Sequence, residues 1–473
     1  PPMNLDHSYA RLPEGFHAKV EPVAAPAPSL LAWNSDLAVE LGLDSLAENE
    51  AELAGIFSGS SIPAGVQPIA LAYAGHQFGH FVPQLGDGRA ALLGEVITEA
   101  GERYDIQLKG SGRTAYSRGG DGKSWLGPVL REYIVSEAMH HLGIPTTRAL
   151  AAVATGDSVR RESMLPGAVF TRVASSHLRV GTFEYFAARR NTDALRTLAD
   201  YAIERHFPEA KKDDAPYVAF FRRVSERQAE LVAGWMSVGF IHGVMNTDNT
   251  SIAGETLDYG PAAYMDEFRF NKVFSSIDQQ GRYAFENQMP IAQWNLARLA
   301  ECLLLLCDAR SDFETALSDF PAYYDSCYLN RMRPKLGLLD TEDDDVALIN
   351  DWLTFLQDNT LDFTLSFRQL ATRFDASDPP QFGEFEQRWR RRIGGQGNES
   401  AECVALMNSV NPIFIPRNHR IEQAIQKAVA GDLTIFRDLN VVLAQPFSEQ
   451  AEYSKYAEAP KPGERVTETF CGT

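Results

Sequence analysis

The stretch HGVMNTDNTSIAGETLDYGP, residues 242–261, places Asp248, Asn249 and Asp258 among turn-forming residues. Asp248 stands next to Asn249, and Asp258 is followed by Tyr and Gly. Oxygen side chains grouped on loops are the ligands that a hard cation such as Mg²⁺ requires. The same residue types fill ordinary surface loops, because Asn, Asp, Thr and Gly favour turns. The stretch alone therefore leaves a metal site and a plain loop both open.

Composition and charge exclude several classes of protein. The chain has 473 residues and a formal net charge of −19. A nucleic-acid-binding surface needs clustered Lys and Arg, so nucleic acid is not expected as a partner. The longest apolar run, residues 299–307, is about half as long as the roughly 18 residues of a membrane-spanning helix. The N-terminal residues show no signal or transit pattern and the five cysteines are widely spaced, so we expect a cytoplasmic protein without a membrane span.

Strand-like segments dominate the first part of the chain. Residues 90–97 and 103–109 are separated by TEAGE, a connection that predicts a hairpin. In RYDIQLK (103–109) apolar side chains alternate with Asp105, Gln107 and Lys109. These three polar side chains are therefore expected on one face of the strand.

Helices follow the strands. A Gly-rich loop, KGSGRTAYSRGGDGKS, leads into a helix with Pro128 in its first turn and Gly143 at its end. Short strands are expected within 149–175, and helical periodicity prevails after about residue 185. The clearest helical segments are 218–239 and 290–306. We predict an α+β fold in which a small strand-rich lobe precedes a larger helical lobe that holds the opening polar cluster.

Three features stand in the order that protein kinases use to bind ATP. A GDGR loop (86–89) precedes a strand, Lys109 ends the next strand, and Glu132 lies in the following helix. In kinases the Gly-rich loop covers the nucleotide, the lysine contacts its phosphates and the glutamate holds the lysine. A lone GDGR is also typical of hairpin turns, so the order, more than the loop, predicts a nucleotide site.

The opening stretch continues the same order. Kinases use H-R-D-x-x-x-x-N and then D-F-G, and His242, Asn249 and Asp258 occupy the His, Asn and metal-binding Asp positions. The position of the catalytic Asp falls on Val244, which cannot accept a proton. Asp248 is the remaining carboxylate of that loop. The pattern predicts nucleotide and metal binding without the kinase base in its usual place.

Several long motifs resemble those of a known family. They are YAGHQFG (73–79), QLGDGRA (84–90), QLKGSGRTAYSRGGDGK (107–123), LREYIVSEAMHHLGIPTTRAL (130–150), TRVASSHLRVGTFEYF (171–186) and HGVMNTDN…DYGP (242–261). With them the chain is similar to the selenoprotein O family of protein adenylyltransferases, which has a pseudokinase fold, and Cys471 stands where many animal relatives carry selenocysteine. The protein-kinase-like two-lobed fold would then comprise an N-terminal extension (1–65), an N-lobe (66–185), a helical C-lobe (186–440) and a C-terminal tail (441–473).

The resemblance implies that ATP lies reversed relative to a kinase, with its γ-phosphate buried, and that AMP passes to a Ser, Thr or Tyr hydroxyl of a protein. The residues implied for the nucleotide are Gly86, Gly88, Arg89, Lys109, Asp121, Gly122, Glu132, Arg172, Arg179 and Asp258. Arg172 and Arg179 would hold the terminal phosphates, since a planar guanidinium suits phosphate oxygens. Asn249 and Asp258 would bind Mg²⁺, with Mn²⁺ as the alternative, and Asp248 would accept the proton.

Several alternatives stay open. Asp248 could be a second metal ligand, and the chain could be an inactive ATP-binding scaffold, a kinase with an unusual base or a metal-dependent hydrolase. The motifs do not name the protein substrates; relatives modify proteins of redox metabolism, and the protein itself is a further candidate. Some relatives pair a cysteine after DYGP with the C-terminal cysteine. Residues 259–301 hold no cysteine and Phe274 is near that place, so Cys471 lacks that partner.

Overall fold

The computed structural model describes residues 3–470, and its fold is α+β. Its strands are β1 (His17–Lys19), β2 (Ser29–Trp33), β3 (Ile69–Leu71), β4 (Gly75–Gln77), β5 (His80–Val82), β6 (Ala90–Ile97), β7 (Arg103–Lys109), β8 (Ser124–Trp125), β9 (Arg148–Arg160), β10 (Met164–Ala174), β11 (Phe240–Ile241) and β12 (Ala263–Tyr264). Its helices are α1 (Ser35–Leu41), α2 (Glu50–Phe57), α3 (Leu126–His141), α4 (Val180–Ala188), α5 (Thr192–His206), α6 (Pro216–Ser237), α7 (Gln288–Leu303), α8 (Arg310–Lys335), α9 (Asp345–Asp358), α10 (Phe363–Ala371), α11 (Gly383–Gly394), α12 (Ser400–Val410), α13 (Asn418–Val429) and α14 (Thr434–Val442). Within this described part, no helix combines the length and the apolar character that a bilayer crossing demands.

An antiparallel sheet contains the predicted strands β6, β7, β9 and β10, together with β1 and β2 from the N-terminal extension, which were not predicted. Its strand order is β1-β3-β6-β7-β10-β9-β2, and β8 pairs with β10. The predicted hairpin is confirmed, because β6 and β7 have the expected bounds and pair from Ala90 opposite Lys109 to Ile97 opposite Arg103. The strands expected within 149–175 are β9 and β10, which form a long second hairpin.

The two faces of β7 differ, as the alternation predicts. Ile106 and Leu108 are fully buried in an apolar core to which α1 and α2 contribute. Asp105, Gln107 and Lys109 occupy the alternate positions and face the other side of the sheet. The N-terminal extension thus covers one face of the sheet, and it also supplies the edge strands β1 and β2.

Helix α3 packs against β9 and β10 and carries Glu132. Pro128 lies in its first turn, where a missing amide hydrogen has no effect on the helical hydrogen bonds. Gly143 follows its end with a φ of 80°, a left-handed conformation that glycine adopts without steric cost. Helices α13 and α14 return from the end of the chain to pack on α3, so the sheet and the C-terminal helices together hold Glu132 in place.

The rest of the chain is mainly helical. The two predicted segments, 218–239 and 290–306, correspond to α6 and α7 with ends displaced by a few residues. Helices α8 to α12 contribute to a second apolar core around Trp352 and Trp389. The opening stretch lies on the loops between β11 and β12, with one 3-10 turn at Thr247–Asn249.

Candidate active site

Lys109 joins the strand, the helix and the loop that the kinase-like order predicted. Its Nζ lies 3.1 Å from Oε1 of Glu132 on α3. The same Nζ is 3.8 Å from Oδ1 of Asp258. Glu132 is buried and also lies 3.7 Å from Nη1 of Arg172. Two carboxylates from distant parts of the chain therefore share one lysine.

Two buried arginines converge on Asp258. Nη1 of Arg172 donates to Oδ1 at 2.6 Å, and Nη1 of Arg179 donates to Oδ2. Burial opposes the ionisation of Asp258, but Arg179, Arg172 and Lys109 together hold the pKa of this carboxyl well below its usual range. The site therefore contains an ionised carboxylate surrounded by three cations.

Arg179 has more donors than the protein satisfies. Besides Asp258, its Nη1 donates to the main-chain carbonyl of Asp248 at 2.7 Å, and its guanidinium lies 4.6 Å from the ring centre of Tyr73. Its Nε is buried and has no hydrogen-bond partner among residues 3–470. An unsatisfied buried donor on a cation is the kind of group that an anionic ligand completes.

His242 connects the start of the loop to Asp258. Its Nδ1 accepts from the main-chain amide of Val244 at 3.3 Å, so its Nε2 is the donor to the carbonyl of Leu257 at 2.6 Å. Burial lowers the pKa of His242, which favours this neutral form. The next residue, Asp258, has a φ of 60°, a conformation in which Asp is enriched among residues other than glycine. His242 thus has a structural role.

Asp248 is buried beside strand β4. Its Oδ2 lies 3.4 Å from Nε2 of Gln77, and its Oδ1 has no hydrogen-bond partner within residues 3–470. Gly75 makes this close approach possible, because a Cβ there would lie 2.2 Å from Oδ1. Burial raises the pKa of Asp248 to about 7, even though Arg179 opposes the shift. Such a carboxyl is a stronger base than an exposed one.

Asn249 is oriented by its amide nitrogen. Nδ2 donates to the main-chain carbonyl of Val244 at 3.0 Å. This contact uses the nitrogen and leaves the carbonyl oxygen as the atom suited to a cation. The described part of the chain has no cluster of three or more His, Cys, Asp and Glu side chains with metal-binding geometry. A cation held by Asn249 and Asp258 would accordingly need substrate and water oxygens to complete its coordination.

The two Gly-rich loops, residues 86–89 (the first loop) and 109–124 (the second loop), pack against each other. Gly86 has a φ of 131°, and a Cβ there would lie 2.5 Å from the ring of Tyr116 in the second loop. The hydroxyl of Ser117 donates to the main-chain carbonyl of Gly88 at 2.6 Å. Side chains larger than hydrogen would separate the loops, so the glycines are required for this contact.

Polar side chains near the second loop form hydrogen bonds with the main chain of Lys123. Its main-chain carbonyl accepts from Arg89 at 2.8 Å and from Arg161 at 3.0 Å. Arg161 also donates to Asp121 at 2.9 Å, and Asp121 accepts from the Lys123 amide at 2.9 Å. Burial alone would raise the pKa of Asp121, but its hydrogen bonds with Arg161 and with the Lys123 amide lower this pKa below its usual value. Gly122 has a φ of 69° and packs so closely on the loop that no side chain fits.

Comparison with known proteins identifies the family. The profile described as Protein adenylyltransferase SelO matches residues 2–444. A protein of Rhizobium meliloti (strain 1021) named Protein nucleotidyltransferase YdiU is 54% identical over 486 residues, which cover 99% of each chain. Relatives of the same name are 54% identical in Agrobacterium fabrum (strain C58 / ATCC 33970), over 100% of both chains, and 55% identical in Rhodopseudomonas palustris (strain BisB5), over 99% of both. The chain belongs to the SelO family.

A SelO-family chain is a protein adenylyltransferase, so ATP and a protein are its two substrates. The resemblance and the adenylyltransferase activity that it implies are both confirmed. Family membership does not support the alternatives of a kinase, a hydrolase and an inactive scaffold.

The structure brings the predicted residues of this SelO protein together in two groups. The first group surrounds Asp258 and consists of Lys109, Glu132, Arg172 and Arg179, with Asp248 and Asn249 on the adjoining loop. The second group consists of Arg89 and Asp121 at the main chain of Lys123, with Gly86, Gly88 and Gly122 in the two loops. The groups meet where the amide of Gly110 donates to the carbonyl of Arg89 at 2.7 Å. Asp121 itself contacts Arg161 and not the first group.

Some site residues of the SelO protein were not predicted. Gln107 and His177 hold Arg172, and Gln77 and Tyr73 contact Asp248 and Arg179. The alternation of β7 placed Gln107 on the same face as Lys109, which was a usable signal. Tyr73 and Gln77 lie within the motif YAGHQFG, but nothing in its local pattern indicates which distant residues they contact.

The C-terminal tail lies beside the segment after Asp258. Thr469 donates through its hydroxyl to the main-chain carbonyl of Pro261 at 2.5 Å, and its amide donates to the carbonyl of Phe274 at 2.8 Å. The amide of Ser276 donates back to Thr469 at 2.9 Å. Cys471 lies outside the described residues. The tail is thus held by main-chain hydrogen bonds beside Phe274, the position where the cysteine is missing.

Proposed function

We propose that this protein transfers AMP from ATP to a Ser, Thr or Tyr hydroxyl of a protein, with the terminal phosphates of ATP bound at Arg172 and Arg179. The observation that carries the proposal is the convergence of three cations on Asp258. Among residues 3–470, Lys109, Arg172 and Arg179 face only two carboxylates within ion-pair distance, Asp258 and Glu132. The excess positive charge, together with the unsatisfied Nε of Arg179, suits a phosphate group.

The burial of the two arginines supports the reversed nucleotide. Both side chains are only 2% exposed, so phosphates bound to them lie inside the protein and away from a protein acceptor. Those phosphates would be the β and γ groups, which leave as pyrophosphate. The α-phosphate would then face the entrance. A kinase requires the opposite arrangement, because its γ-phosphate must reach the acceptor.

The donor set suits Mg²⁺, with Mn²⁺ as the alternative. Asp258 supplies a carboxylate and Asn249 a carbonyl oxygen, and hard cations of this kind are commonly held by one or two protein oxygens together with substrate phosphates. The cation would neutralise charge on the phosphates. Asp258 would exchange part of its arginine contacts for the metal as the arginines turn to phosphate. Its two oxygens permit this division.

Asp248 is proposed as the proton acceptor. The acceptor hydroxyl oxygen forms a bond to the α-phosphorus, the bond from that phosphorus to the bridging oxygen breaks, and pyrophosphate leaves. The hydroxyl proton goes to Asp248, whose Oδ1 has no hydrogen-bond partner in residues 3–470. Gln77, through its contact with Oδ2, and Gly75, through the space that it leaves, orient this carboxylate.

The Gly-rich loops would bind the remainder of the nucleotide. Gly86, Gly88 and Gly122 allow a close approach of the main chain next to Arg89 and Asp121, and main-chain amides of such loops can bind phosphate. Because Arg89 and the main chain of Gly110 are hydrogen-bonded to each other, a nucleotide could extend from these loops to Lys109.

A kinase-like division into two lobes is part of the proposal. The extension would comprise 1–65, the small lobe 66–185, the helical lobe 186–440 and the tail 441–473. The sheet and the Lys109–Glu132 pair support the small lobe. The helices from α5 onward support the second lobe.

The deciding experiment uses ATP labelled at two positions. The purified protein is incubated with Mg²⁺ and ATP carrying label at either the α- or the γ-phosphorus, and label is followed onto added protein substrates and onto the protein itself. We expect transfer from the α position only. Transfer from the γ position would overturn the reversed orientation and the phosphate role of Arg172 and Arg179. Bound ATP without transfer of either label to any protein would overturn the proposed catalytic apparatus.

A further inference from the structure

Arg172 is held by two uncharged acceptors. Its Nε lies 3.2 Å from Nε2 of His177, and its Nη2 donates to Oε1 of Gln107 at 2.8 Å. Gln107 is the direct cross-strand neighbour of Arg172 in the pair β7–β10. Within residues 3–470, only the remaining Nη1 contacts carboxylates, Asp258 at 2.6 Å and Glu132 at 3.7 Å. The two neutral contacts fix the guanidinium and leave its positive charge directed at the site.

The protonation of His177 follows from these contacts. An arginine Nε can only donate, so Nε2 of His177 must accept and carries no hydrogen. Nδ1 therefore holds the hydrogen and donates to Oδ2 of Asp105 at 2.8 Å. The main-chain amide of His177 donates to the same oxygen at 3.0 Å. Asp105 thus fixes both the position and the tautomer of the ring.

Asp105 is held in place by an ion pair with Arg205. Nη2 of Arg205 donates to its Oδ1 at 2.7 Å, and all three groups, Arg205, Asp105 and His177, are buried. Asp105, Gln107 and Lys109 are alternate residues on one face of β7. Each of them acts on the same site: Lys109 directly, Gln107 through Arg172, and Asp105 through His177 and Arg172. His177 also lies two residues before Arg179 on the turn that follows β10.

We propose that His177 is a positioning residue for AMP transfer, which holds Arg172 through a neutral acceptor nitrogen so that the full arginine charge meets the terminal phosphates of ATP. This inference rests on the proposed phosphate role of Arg172. A carboxylate in the same place would hold the arginine equally well, but it would cancel the charge that binds phosphate. An apolar residue would leave Nε buried and unsatisfied.

Two polar substitutions separate positioning from packing. In His177→Gln, the amide reaches the place of Nε2 and offers an oxygen to Arg172. In His177→Asn, the amide stops at the place of Nδ1, where it contacts Asp105 but not Arg172. His206 is the matched control: it is a nearby histidine with a lowered pKa caused by burial, its Nε2 lies 2.7 Å from the Ser176 hydroxyl, and it does not contact Arg172.

The readout is kcat/KM for ATP in α-label transfer, with the thermal midpoint measured for each variant. We expect His177→Asn to lower kcat/KM about ten- to a hundredfold, the loss of one hydrogen bond to a charged group. His177→Gln and His206→Asn should stay within about threefold of the wild type. If His177→Gln falls as far as His177→Asn, or if His206→Asn falls equally, the positioning role is wrong.

Arg172→Gln distinguishes the failure of this inference from the failure of the proposed function. If kcat/KM is unchanged in Arg172→Gln, Arg172 does not bind the phosphates, and this part of the proposed function is wrong. If kcat/KM falls in Arg172→Gln but not in His177→Asn, only the positioning role of His177 is wrong. In the double variant, His177→Asn should add no further loss to that of Arg172→Gln. A further loss would show that His177 acts by another route.

A spectroscopic test needs no loss of activity. In protein carrying ¹⁵N-labelled histidine, the His177 resonances are assigned by their disappearance in His177→Gln. We expect a neutral ring protonated at Nδ1. A ring protonated at Nε2 cannot accept from Arg172 and would overturn the inference even if His177→Asn failed to fold.

Discussion

Arg172 and Asp258 form a partly buried ion pair of 2.6 Å that joins the central sheet to the loop after residue 242. Arg172 lies on β10, opposite Gln107 in the sheet, and Asp258 lies 86 residues later in the chain. The pair occupies the place where the proposed reaction brings phosphate and metal together. In this structure Asp258 is the anion that lies between Arg172 and Arg179, at the place proposed for the phosphates.

Removing the charge of Asp258 should therefore destabilise the protein and abolish transfer. Asp258→Asn leaves three cations around a neutral amide; breaking a fully buried ion pair from one side costs about 3–5 kcal/mol, which is the upper bound for this partly exposed carboxylate. Tripolyphosphate without metal should raise the thermal midpoint of this variant more than that of the wild type, because the arginines then bind phosphate alone. Asp340→Asn is the control, since that carboxylate is 53% exposed on Arg392. Equal stabilisation of all three proteins would contradict the prediction.

Asp248→Asn should separate chemistry from binding. The substitution keeps the size and the contact with Gln77 but removes the proton acceptor. We expect kcat for AMP transfer to fall by about a hundredfold or more, the usual contribution of a general base, with ATP affinity nearly unchanged. Calorimetric titration with ATP and Mg²⁺ measures the affinity independently of transfer. A variant that no longer binds ATP would identify Asp248 as a metal ligand.

Gly75→Ala tests the position of the same carboxylate from the other side. The new Cβ would lie 2.2 Å from Oδ1 of Asp248, so this side chain has to move. A displacement of about 1 Å at a reacting group can lower a rate by about a hundredfold. We expect lower kcat with ATP affinity retained. Gly394→Ala is the matched control, because a Cβ there contacts nothing; similar kinetics in both variants would refute the steric argument.

Local patterns predicted the parts of this fold that local chemistry determines. The β6–β7 hairpin follows from alternation around a short polar turn, and α3 lies where Pro128 and Gly143 indicate. The order of Lys109, Glu132 and Asp258 predicted that these residues would meet, and Lys109 lies within ion-pair distance of both carboxylates. Asn249 lies on the adjoining loop, where its Nδ2 donates to the carbonyl of Val244. All of these signals lie within short segments or in the fixed order of known motifs.

Long-range pairing could not be predicted in the same way. Strand β2 lies at the end of a Pro- and Ala-rich segment that indicates an extended connector, yet it pairs with β9 more than 100 positions later. Its pairing depends on an edge of a sheet that the segment does not encode. Likewise, the contacts of Gln77 with Asp248 and of His177 with Arg172 depend on how loops meet in three dimensions.

The tail should support the segment that follows Asp258. Thr469→Val removes the hydrogen bond to the carbonyl of Pro261, three residues after Asp258, and leaves a buried acceptor unsatisfied. The expected cost is about 1–3 kcal/mol, concentrated in this segment. Transfer activity should fall, and hydrogen exchange of the amides in 266–276 should become faster. Thr467→Val, at an exposed position two residues away, should change neither quantity.

Lys335, at the end of α8, should destabilise the protein at neutral pH. Its side chain is 3% exposed, its Nζ lies 4.3 Å from the ring centre of Phe367, and it has no ion pair in the described part of the chain. Burial lowers the pKa of this ammonium group to about 7. Lys335→Met keeps the length and removes the charge, so it should increase the free energy of unfolding at pH 7 by up to about 4 kcal/mol.

A stricter test is the pH dependence of the difference in unfolding free energy between the wild type and Lys335→Met. Above about pH 7 the folded chain releases the proton of Lys335, while the unfolded chain retains it up to the ordinary pKa of 10.5. Between these values the unfolded state binds more protons, so the wild type gains stability relative to Lys335→Met as pH rises, by about 1.4 kcal/mol per pH unit. Urea unfolding of both proteins at pH 7 and pH 10 measures it. A difference that stays constant across this range would show that Lys335 is not neutral in the folded protein.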